Sequence, residues 1–310
     1  MPLNNPGDKR YNQYSSFLKN KFNAKVYKIT LDAGFSCPNR DGTKSSGGCI
    51  FCDDSGSFSN AHDGLLSIEK QLQISAERLK SRFKAEKFIS YFQAYTNTYA
   101  SVDHLKKVYD SAFLHPDVIG LSIGTRPDCV DEEKIALIAS YAQKYYVWVE
   151  YGLQSMHNKT LQAINRGHSF EDFVKAVELT KNKGINICTH VILGLPGETR
   201  ENMLDTAKAI SELGINGVKI HLLCALKGTK LEQMYNKGTF KPMEAVEYVE
   251  TVCDFLELLP PDVTIHRLAG NGLKKILVAP RWLPDKFKVL TMIDTELEKR
   301  NSRQGSAFVF

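Results

Sequence analysis

The sequence predicts an α/β protein built as a partial TIM-like barrel of six β-α units. From about residue 26, short strand-like runs alternate regularly with helix-like segments. The strand-like runs are almost continuously apolar, which is typical of parallel strands buried on both faces. No linker or low-complexity tract interrupts the alternation before residue 258. Because eight such units close a full barrel, six predict an open one.

The predicted elements follow one another in a simple order. The first unit joins the strand KVYKITLD (25–32) to the helix SIEKQLQISAERLKSRF (67–83), whose apolar residues recur at helical spacing behind Ser67, a residue type that caps helices. Helices such as DEEKIALIASYAQ (131–143) and ENMLDTAKAISELG (201–214) separate the later strands. Those strands are predicted at KFISYFQAY (87–95), VIGLSIGT (118–125), YVWVEYGL (146–153), INICTHVILG (185–194) and GVKIHLLCAL (217–226).

Three regions are expected along the chain. Residues 1–25, polar and tyrosine-bearing, form a short N-terminal extension, and residues 26–258 form the barrel. LLPPDVTI (258–265) ends the regular pattern, because two consecutive prolines cannot continue a helix. Residues 259–310 are therefore a C-terminal extension, with a further helix near residues 286–300, that packs on the barrel or contacts the substrate.

Composition and charge narrow the class of protein. Of 310 residues, 43% are hydrophobic and 24% charged, and no apolar run approaches the roughly 18 residues of a membrane span. The amino terminus lacks a charged-then-apolar signal, so we expect a cytoplasmic protein that needs no membrane. A net charge of +5 permits a nucleic-acid partner without requiring one. Two basic runs suit phosphate contacts or simply a solvated face: Lys19, Lys21, Lys25 and Lys28, then Lys80, Arg82, Lys84 and Lys87.

Three of the seven cysteines, Cys37, Cys49 and Cys52, lie in CPNRDGTKSSGGCIFC (37–52), directly after the first predicted strand. Parallel α/β folds place their chemistry at the carboxyl ends of strands, and clustered thiols in a reducing compartment more often hold metal than form disulfides. A closed zinc site needs a fourth ligand, for which His62 is a candidate; the protein would then be a non-enzymatic metal-binding protein. Alternatively, three thiolates hold three irons of a [4Fe-4S] cluster and leave the fourth open.

The second arrangement resembles the radical S-adenosylmethionine (SAM) superfamily, and within it the YtqA-type group related to the elongator catalytic subunit, from about Arg10 to about Leu268. The resemblance implies that SAM binds the open iron and is cleaved to a 5′-deoxyadenosyl radical. Phe51 matches the aromatic residue that lies against adenine in this superfamily. The cysteine spacing departs from the pattern, being wider than the usual C-x-x-x-C-x-x-C.

The ends of the second and third strands carry the first implied SAM contacts. QAYTNTY (93–99) stands where relatives have a glycine-rich turn, and the polar candidates there are Gln93, Asn97 and Thr98. GTRPD (124–128) resembles the relatives' TRPD. The match implies a cofactor-binding role for Thr125 and Arg126. Gly124 replaces a glutamate that often precedes that motif, so the usual carboxylate contact to the cofactor's ammonium is expected from elsewhere.

The fourth strand and the helix after it supply the most specific matches. EYGLQS (150–155) resembles the family's E-x-G-x-Q-S, which implies a cofactor-binding role for Glu150 and a ribose contact for Gln154. In INRGH (164–168), Arg166 matches the arginine that pairs with the methionyl carboxylate, a role suited to the guanidinium fork.

HVILGLPGET (190–199) resembles the fifth-strand segment whose backbone receives adenine. Gly194 allows close approach there, and His190 is either a ribose contact or a core histidine. Cys188 and Cys224 lie on adjacent predicted strands. Each could donate hydrogen to a radical or bind a second metal, but a cysteine in such a strand is more commonly a small buried hydrophobic residue.

The resemblance also implies a substrate. Elongator relatives modify the C5 side chain of the tRNA wobble uridine, and the YtqA-type group is associated with conversion of 5-carboxymethylaminomethyluridine to 5-aminomethyluridine. The implied partners are the tRNA anticodon arm and an electron donor such as flavodoxin or ferredoxin. A radical enzyme for a small molecule, for instance a tetrapyrrole, is the alternative. The candidate tRNA contact is the tail from Leu273 to Arg303, with Lys274, Lys275, Arg281, Lys286, Lys288, Lys299 and Arg300.

Overall fold

The computed structural model describes residues 9–53, 56, 66–270 and 275–309. Seven strands form one curled, fully parallel sheet in the spatial order β1-β2-β3-β4-β5-β6-β8. The strands of this sheet are β1 (Val26–Leu31), β2 (Lys87–Phe92), β3 (Val118–Thr125), β4 (Tyr146–Gln154), β5 (Asn186–Leu193), β6 (Gly217–Leu222) and β8 (Thr264–Arg267). The sheet is a partial barrel, which confirms the predicted fold class.

Helices connect the strands and cover the outside of the sheet. Along the described residues they are α1 (Tyr14–Phe22), α2 (Ile68–Phe83), α3 (Val102–Ser111), α4 (Glu132–Ala142), α5 (Asn158–Ala163), α6 (Phe170–Thr180), α7 (Arg200–Glu212), α8 (Lys230–Asn236), α9 (Ala245–Leu258) and α10 (Lys286–Lys299). The side chain of Ser67 accepts a hydrogen bond from the backbone amide of Lys70, as predicted for the cap of α2. Two short strands, β7 (Ala225–Leu226) and β9 (Leu277–Ala279), pair antiparallel beyond the end of β6.

The six predicted β-α units are present, and β8 adds a seventh parallel strand beside β6. β8 lies within the segment expected to be the C-terminal extension. At four residues it is too short to show a periodic pattern, and its last two residues, His266 and Arg267, are polar. The domain boundaries at residues 25 and 258 stay a prediction.

Both extensions pack against the barrel. Tyr14 and Leu18 of α1 share a buried cluster with Trp148 of β4 and Cys188 of β5, at the end of the barrel where the strands begin. The ring of Tyr14 stacks on His266 at a centroid distance of 3.7 Å. The N-terminal extension therefore covers the inner end of the barrel. The C-terminal helix α10 packs against α9.

Candidate active site

A cavity of about 450 Å³ runs from the carboxyl ends of the strands into the barrel. Its volume lies in the range of roughly 300–1,000 Å³ that is usual for ligand sites. It brings together ten of the twelve residues that the sequence singles out: Cys37, Cys49, Phe51, Cys52, Thr125, Arg126, Glu150, Gln154, Arg166 and His190.

The loop with the three cysteines is held by backbone hydrogen bonds on both sides. The amide of Ile50, between Cys49 and Phe51, donates to the carbonyl of Ile164 at 3.1 Å, and its carbonyl accepts from the amide of Leu231 at 2.9 Å. Asn165 adds a side-chain donor to the carbonyl of Gly48 at 2.7 Å. The loop is thus clamped between the segment after α5 and the start of α8.

Two buried side chains place N–H groups on the sulfur of Cys49. The guanidinium Nη1 of Arg166 lies 3.5 Å from this Sγ, and the amide nitrogen of Asn39 lies 3.6 Å from it. Hydrogen bonds to cysteine sulfurs are typical of iron–sulfur sites, where they tune the reduction potential. Neither Asn39 nor Asn165 was singled out by the sequence, because an isolated asparagine in a loop carries no spacing signal.

The three thiols are not gathered as closely as a single zinc ion requires. All three cysteines are free. Among the described residues, the one triad of ligand atoms that all lie within 4.8 Å of one another is formed by Glu150, Cys188 and His190, so the sulfurs of Cys37, Cys49 and Cys52 are more widely spread. Tetrahedral zinc with Zn–S bonds of about 2.3 Å needs sulfurs roughly 3.8 Å apart. His62, the candidate fourth zinc ligand, lies outside the described residues.

Gly152 allows two predicted SAM ligands to lie side by side at the end of β4. A Cβ on Gly152 would come within 2.7 Å of Nη2 of Arg166 and 2.9 Å of Nε2 of Gln154. The same Nη2 donates to the carbonyl of Gly152 at 2.8 Å. Gln154 has a φ of 80°, an uncommon backbone conformation for a residue other than glycine. Such strained residues occur often at ligand sites.

Arg126 makes its hydrogen bonds to other groups of the protein. Its guanidinium forms a two-pronged contact with the carboxylate of Asp128, at 2.9 and 2.8 Å, and donates to the carbonyl of Arg166 at 2.6 Å. Burial raises the pKa of Asp128, but the hydrogen bonds and charge of Arg126 outweigh it and lower that pKa to about 2. Arg126 thus positions the backbone of Arg166. The hydroxyl of Thr125 lies 2.6 Å from that of Thr98.

Asn97 and Gly194 do not line the cavity. The amide of Asn97 is buried and donates to the carbonyl of Gly124 at 2.7 Å. Gly194 instead faces Met243, whose Cγ would lie 2.9 Å from an added Cβ. Thr96, the neighbour of Asn97, does line the cavity, and its buried hydroxyl has no hydrogen-bond partner among the described residues. The sequence could not separate Thr96 from the other polar residues of its stretch.

Glu150 occupies the centre of a charged network at the inner end of the cavity. One carboxylate oxygen accepts from the ammonium of Lys28 and, at 2.6 Å, from the hydroxyl of Ser122. The other accepts from the ammonium of Lys219 and lies 2.7 Å from Nε2 of His190. The cofactor-binding role predicted for Glu150 therefore competes with four contacts from the protein itself.

The charge states of this network follow from burial and from its neighbours. Burial would raise the pKa of Glu150, but Lys219, Lys28 and His190 together hold it well below its usual value. Burial lowers the pKa of His190 to about 4, assisted by the charge of Lys219 and opposed by Glu150. Burial also lowers the pKa of Lys219 to about 8. At neutral pH, Glu150 is therefore ionised and His190 is neutral.

The triad of Glu150, Cys188 and His190 is not a metal site on this geometry. Both oxygens of Glu150 already contact lysine ammonium groups, which would repel a cation. Cys188 is fully buried in the cluster that contains Trp148. Cys224, by contrast, lines the cavity just beyond β6.

Three cysteines at the mouth of a partial barrel indicate the class of protein, and comparison with known families identifies that class. The radical SAM superfamily model matches residues 41–210, and the model for the Radical_SAM C-terminal domain matches residues 215–299. The chain belongs to the radical SAM superfamily. Enzymes of this family use a [4Fe-4S] cluster and SAM.

Individual proteins that the chain resembles are as follows. It is 42% identical over 313 residues to the protein YtqA of Bacillus subtilis (strain 168), covering 99% of this chain and 97% of that protein. It is 31% identical over 184 residues to the tRNA uridine(34) acetyltransferase of Methanocaldococcus infernus, covering 57% of this chain but 33% of that protein. The structure of M. infernus Elp3 lacking residues 1–46 shares the fold, with a TM-score of 0.70 at 20% identity, over 91% of this chain and 64% of that one.

Among the described residues, none of the helices has the length and apolar character required to cross a membrane.

Proposed function

We propose that this protein is a cytoplasmic radical SAM enzyme that modifies the C5 side chain of the tRNA wobble uridine, converting 5-carboxymethylaminomethyluridine to 5-aminomethyluridine. The observation that carries the radical SAM part is the set of three free cysteines at the mouth of a cavity, with Arg166 donating to Cys49. The tRNA part is supported by similarity to a protein named as a tRNA uridine(34) acetyltransferase.

The residues present fit the cluster and its cofactor. Cys37, Cys49 and Cys52 would hold three irons, and an electron donor such as flavodoxin or ferredoxin would reduce the cluster. When bound, the cluster and SAM would supply the means to remove a hydrogen atom from carbon, through a 5′-deoxyadenosyl radical. Arg166 and Gln154 would bind the methionyl carboxylate and the ribose.

The protein's own part in the reaction is to position groups and to limit access by water. Asn39 and Asn165 hold the cysteine loop, and Arg126 holds the backbone of Arg166. Tyr14 covers the inner end of the barrel. A substrate would therefore enter from the mouth, as an unstacked nucleoside of an anticodon loop could.

A tRNA whose nucleoside enters at the mouth could be contacted only by basic residues near the mouth. Lys25 and Lys87 stand at the starts of β1 and β2, and α2 ends near them, so these basic runs lie at the end of the barrel opposite the mouth. Lys28 points into the cavity.

The C-terminal extension reaches the mouth. β9 pairs with β7 just beyond β6, and Leu283 lines the cavity. Arg281 and Lys288 are exposed beside this segment, and Lys275 is exposed before it. Arg300, in contrast, is engaged in ion pairs with Asp254, Glu257 and Glu296, and Lys299 also contacts Glu296. Leu273 and Lys274 lie outside the described residues.

The test is mass spectrometry of nucleosides from total tRNA incubated anaerobically with reconstituted protein, dithionite and SAM, with 5′-deoxyadenosine measured in the same reaction. We expect loss of 5-carboxymethylaminomethyluridine, a matching gain of 5-aminomethyluridine, and formation of deoxyadenosine. Deoxyadenosine without any nucleoside change would retain the radical enzyme and reject tRNA, leaving a small molecule as the substrate. Omitting SAM is the control for nonenzymatic change.

A further inference from the structure

The charges that line the cavity are strongly unbalanced. Among the described residues, Glu150 is the only carboxylate that lines the cavity. Three cations, Lys28, Lys219 and Arg267, line the inner end of the cavity. Glu150 can neutralise one of these three cations. Arg267 lies next to Lys219 across the pairing of β6 and β8, and its guanidinium has no hydrogen bond or ion pair with the described residues. Arg267 is half-buried, and a cation that is partly shielded from water without a partner is costly, so this arrangement favours an anion from a ligand.

The remaining walls of the inner end are neutral. The ammonium of Lys28 lies 4.9 Å from the ring centroids of both Tyr14 and Tyr91, and that of Lys219 lies 4.3 Å from Tyr91. Such cation–π contacts stabilise the ammonium groups without cancelling their charge. Burial holds the pKa of both His221 and His266 well below its usual value, so these histidines add no charge near neutral pH.

The inner end lies deeper than the SAM ligands. Glu150 precedes Gly152, whose carbonyl binds Arg166, by two residues on β4. At about 3.3 Å per residue, this places Glu150, and with it the ammonium groups of Lys28 and Lys219 that contact it, roughly 7 Å farther along the strand than the contact of Arg166. A substrate that extends past the cysteines into the cavity would place its far end beside these cations.

We propose that Arg267 and Lys28 bind a carboxylate of the substrate at the inner end of the cavity. This assignment rests on the proposed function, since the side chain of 5-carboxymethylaminomethyluridine ends in a carboxylate and that of its product ends in an amine. The planar guanidinium of Arg267 can bind a carboxylate through two parallel hydrogen bonds. The subsite would thus distinguish substrate from product by charge.

The experiment measures binding of two free nucleosides, 5-carboxymethylaminomethyluridine and 5-aminomethyluridine, to the cluster-containing protein by isothermal titration. We expect the wild type to prefer the carboxymethyl form and Arg267→Gln to lose about 10- to 100-fold of that preference, the usual effect of removing a hydrogen bond to a charged group. Lys28→Met should also reduce it, and Arg267→Lys should restore part of it. Lys183→Gln, an exposed lysine between α6 and β5, is the matched control.

Iron content and cluster absorbance identify variants that failed to fold. Equal affinity of the wild type for the two nucleosides, or a preference that survives in folded Arg267→Gln and Lys28→Met, would overturn the subsite. Inorganic phosphate that binds more tightly than the carboxymethyl nucleoside, and depends on Arg267, would replace the carboxylate with a phosphate. If tRNA turnover fails while Arg267 still sets the preference for the carboxymethyl form, the proposed function fails and the subsite stands.

Discussion

The mouth and the inner end of the cavity are held together by different forces. At the mouth, the cysteine loop is positioned through main-chain groups, such as the amide and carbonyl of Ile50 and the carbonyl of Gly48. At the inner end, Glu150 and two lysines form a buried network of opposite charges. Main-chain contacts survive most side-chain substitutions, whereas a buried charge network fails when one member is removed. The mouth is therefore sensitive to backbone path, and the inner end to charge balance.

Loss of one cluster ligand gives the largest effect expected at the mouth. Cys49→Ala should reduce bound iron and 5′-deoxyadenosine formation to background, because two remaining thiols cannot hold three irons. Iron analysis, cluster absorbance and chromatography measure these quantities. The control is Cys253→Ala, a buried cysteine of α9, which should keep both. Retained iron with normal turnover in Cys49→Ala would reject the cluster assignment.

Loss of the central carboxylate gives the largest effect expected on stability. Glu150→Gln should lower the free energy of unfolding of the apoprotein at pH 7 by about 3–5 kcal/mol, because it leaves two buried ammonium groups uncompensated. The group's folded pKa is lowered, so its contribution is complete above the usual carboxyl pKa and is lost as the pH falls through the lowered value. Urea unfolding at several pH values measures both effects. A difference that does not shrink in acid would contradict the assigned ion pairs.

A single added methyl group tests how tightly the mouth is packed. Gly152→Ala places a Cβ against Arg166 and Gln154, and should weaken SAM binding by about 10- to 100-fold through displaced charge-assisted hydrogen bonds. Equilibrium dialysis with labelled SAM measures the affinity. Cluster absorbance should remain unchanged, since the cysteine loop is held elsewhere. Unaltered SAM affinity would remove Arg166 and Gln154 from the proposed ligand set.

The smallest effect is expected for exposed cations outside the cavity. The double variant Arg281→Gln, Lys288→Gln should weaken tRNA binding and reduce the salt dependence of its affinity by about one unit of log–log slope for each lost phosphate contact. The double variant Lys25→Gln, Lys84→Gln, at the opposite end of the barrel, should leave that slope unchanged. Filter binding across salt concentrations distinguishes the two. The reverse result would place tRNA at the wrong end of the barrel for the proposed reaction.

The sequence could predict that the residues of the mouth lie together, because they occur in short contiguous motifs, while their roles stay predictions. Cys37, Cys49 and Cys52 belong to one loop, and Gln154 and Arg166 belong to patterns at known distances from a strand. Each motif follows a strand, and all carboxyl ends of a parallel sheet meet at one edge. Their convergence in one cavity therefore follows from topology alone. What remained out of reach was which polar residue of a stretch faces inward, as with Thr96 and Asn97.

The cations of the inner end were not predicted, because they are dispersed. Lys28, Lys219 and Arg267 come from three strands, and none has a neighbour in the sequence that indicates its role, whereas Glu150 was singled out by its motif. Lys28 was grouped with exposed lysines, although strand periodicity directs it inward. Arg267 belongs to a strand that the sequence did not reveal. Spatial charge balance depends on pairing between distant strands, which local pattern does not encode.

The clamp on the cysteine loop has a consequence for how the protein is made. The thiols lie near residue 50, whereas the amide that donates to the carbonyl of Ile50 and so holds their loop belongs to Leu231, about 180 residues later. At roughly 5–20 residues per second, a ribosome exposes the ligands for about 10 to 40 s before their support exists. During synthesis the cysteines are therefore open to oxidation, and stable iron loading must follow completion of most of the barrel.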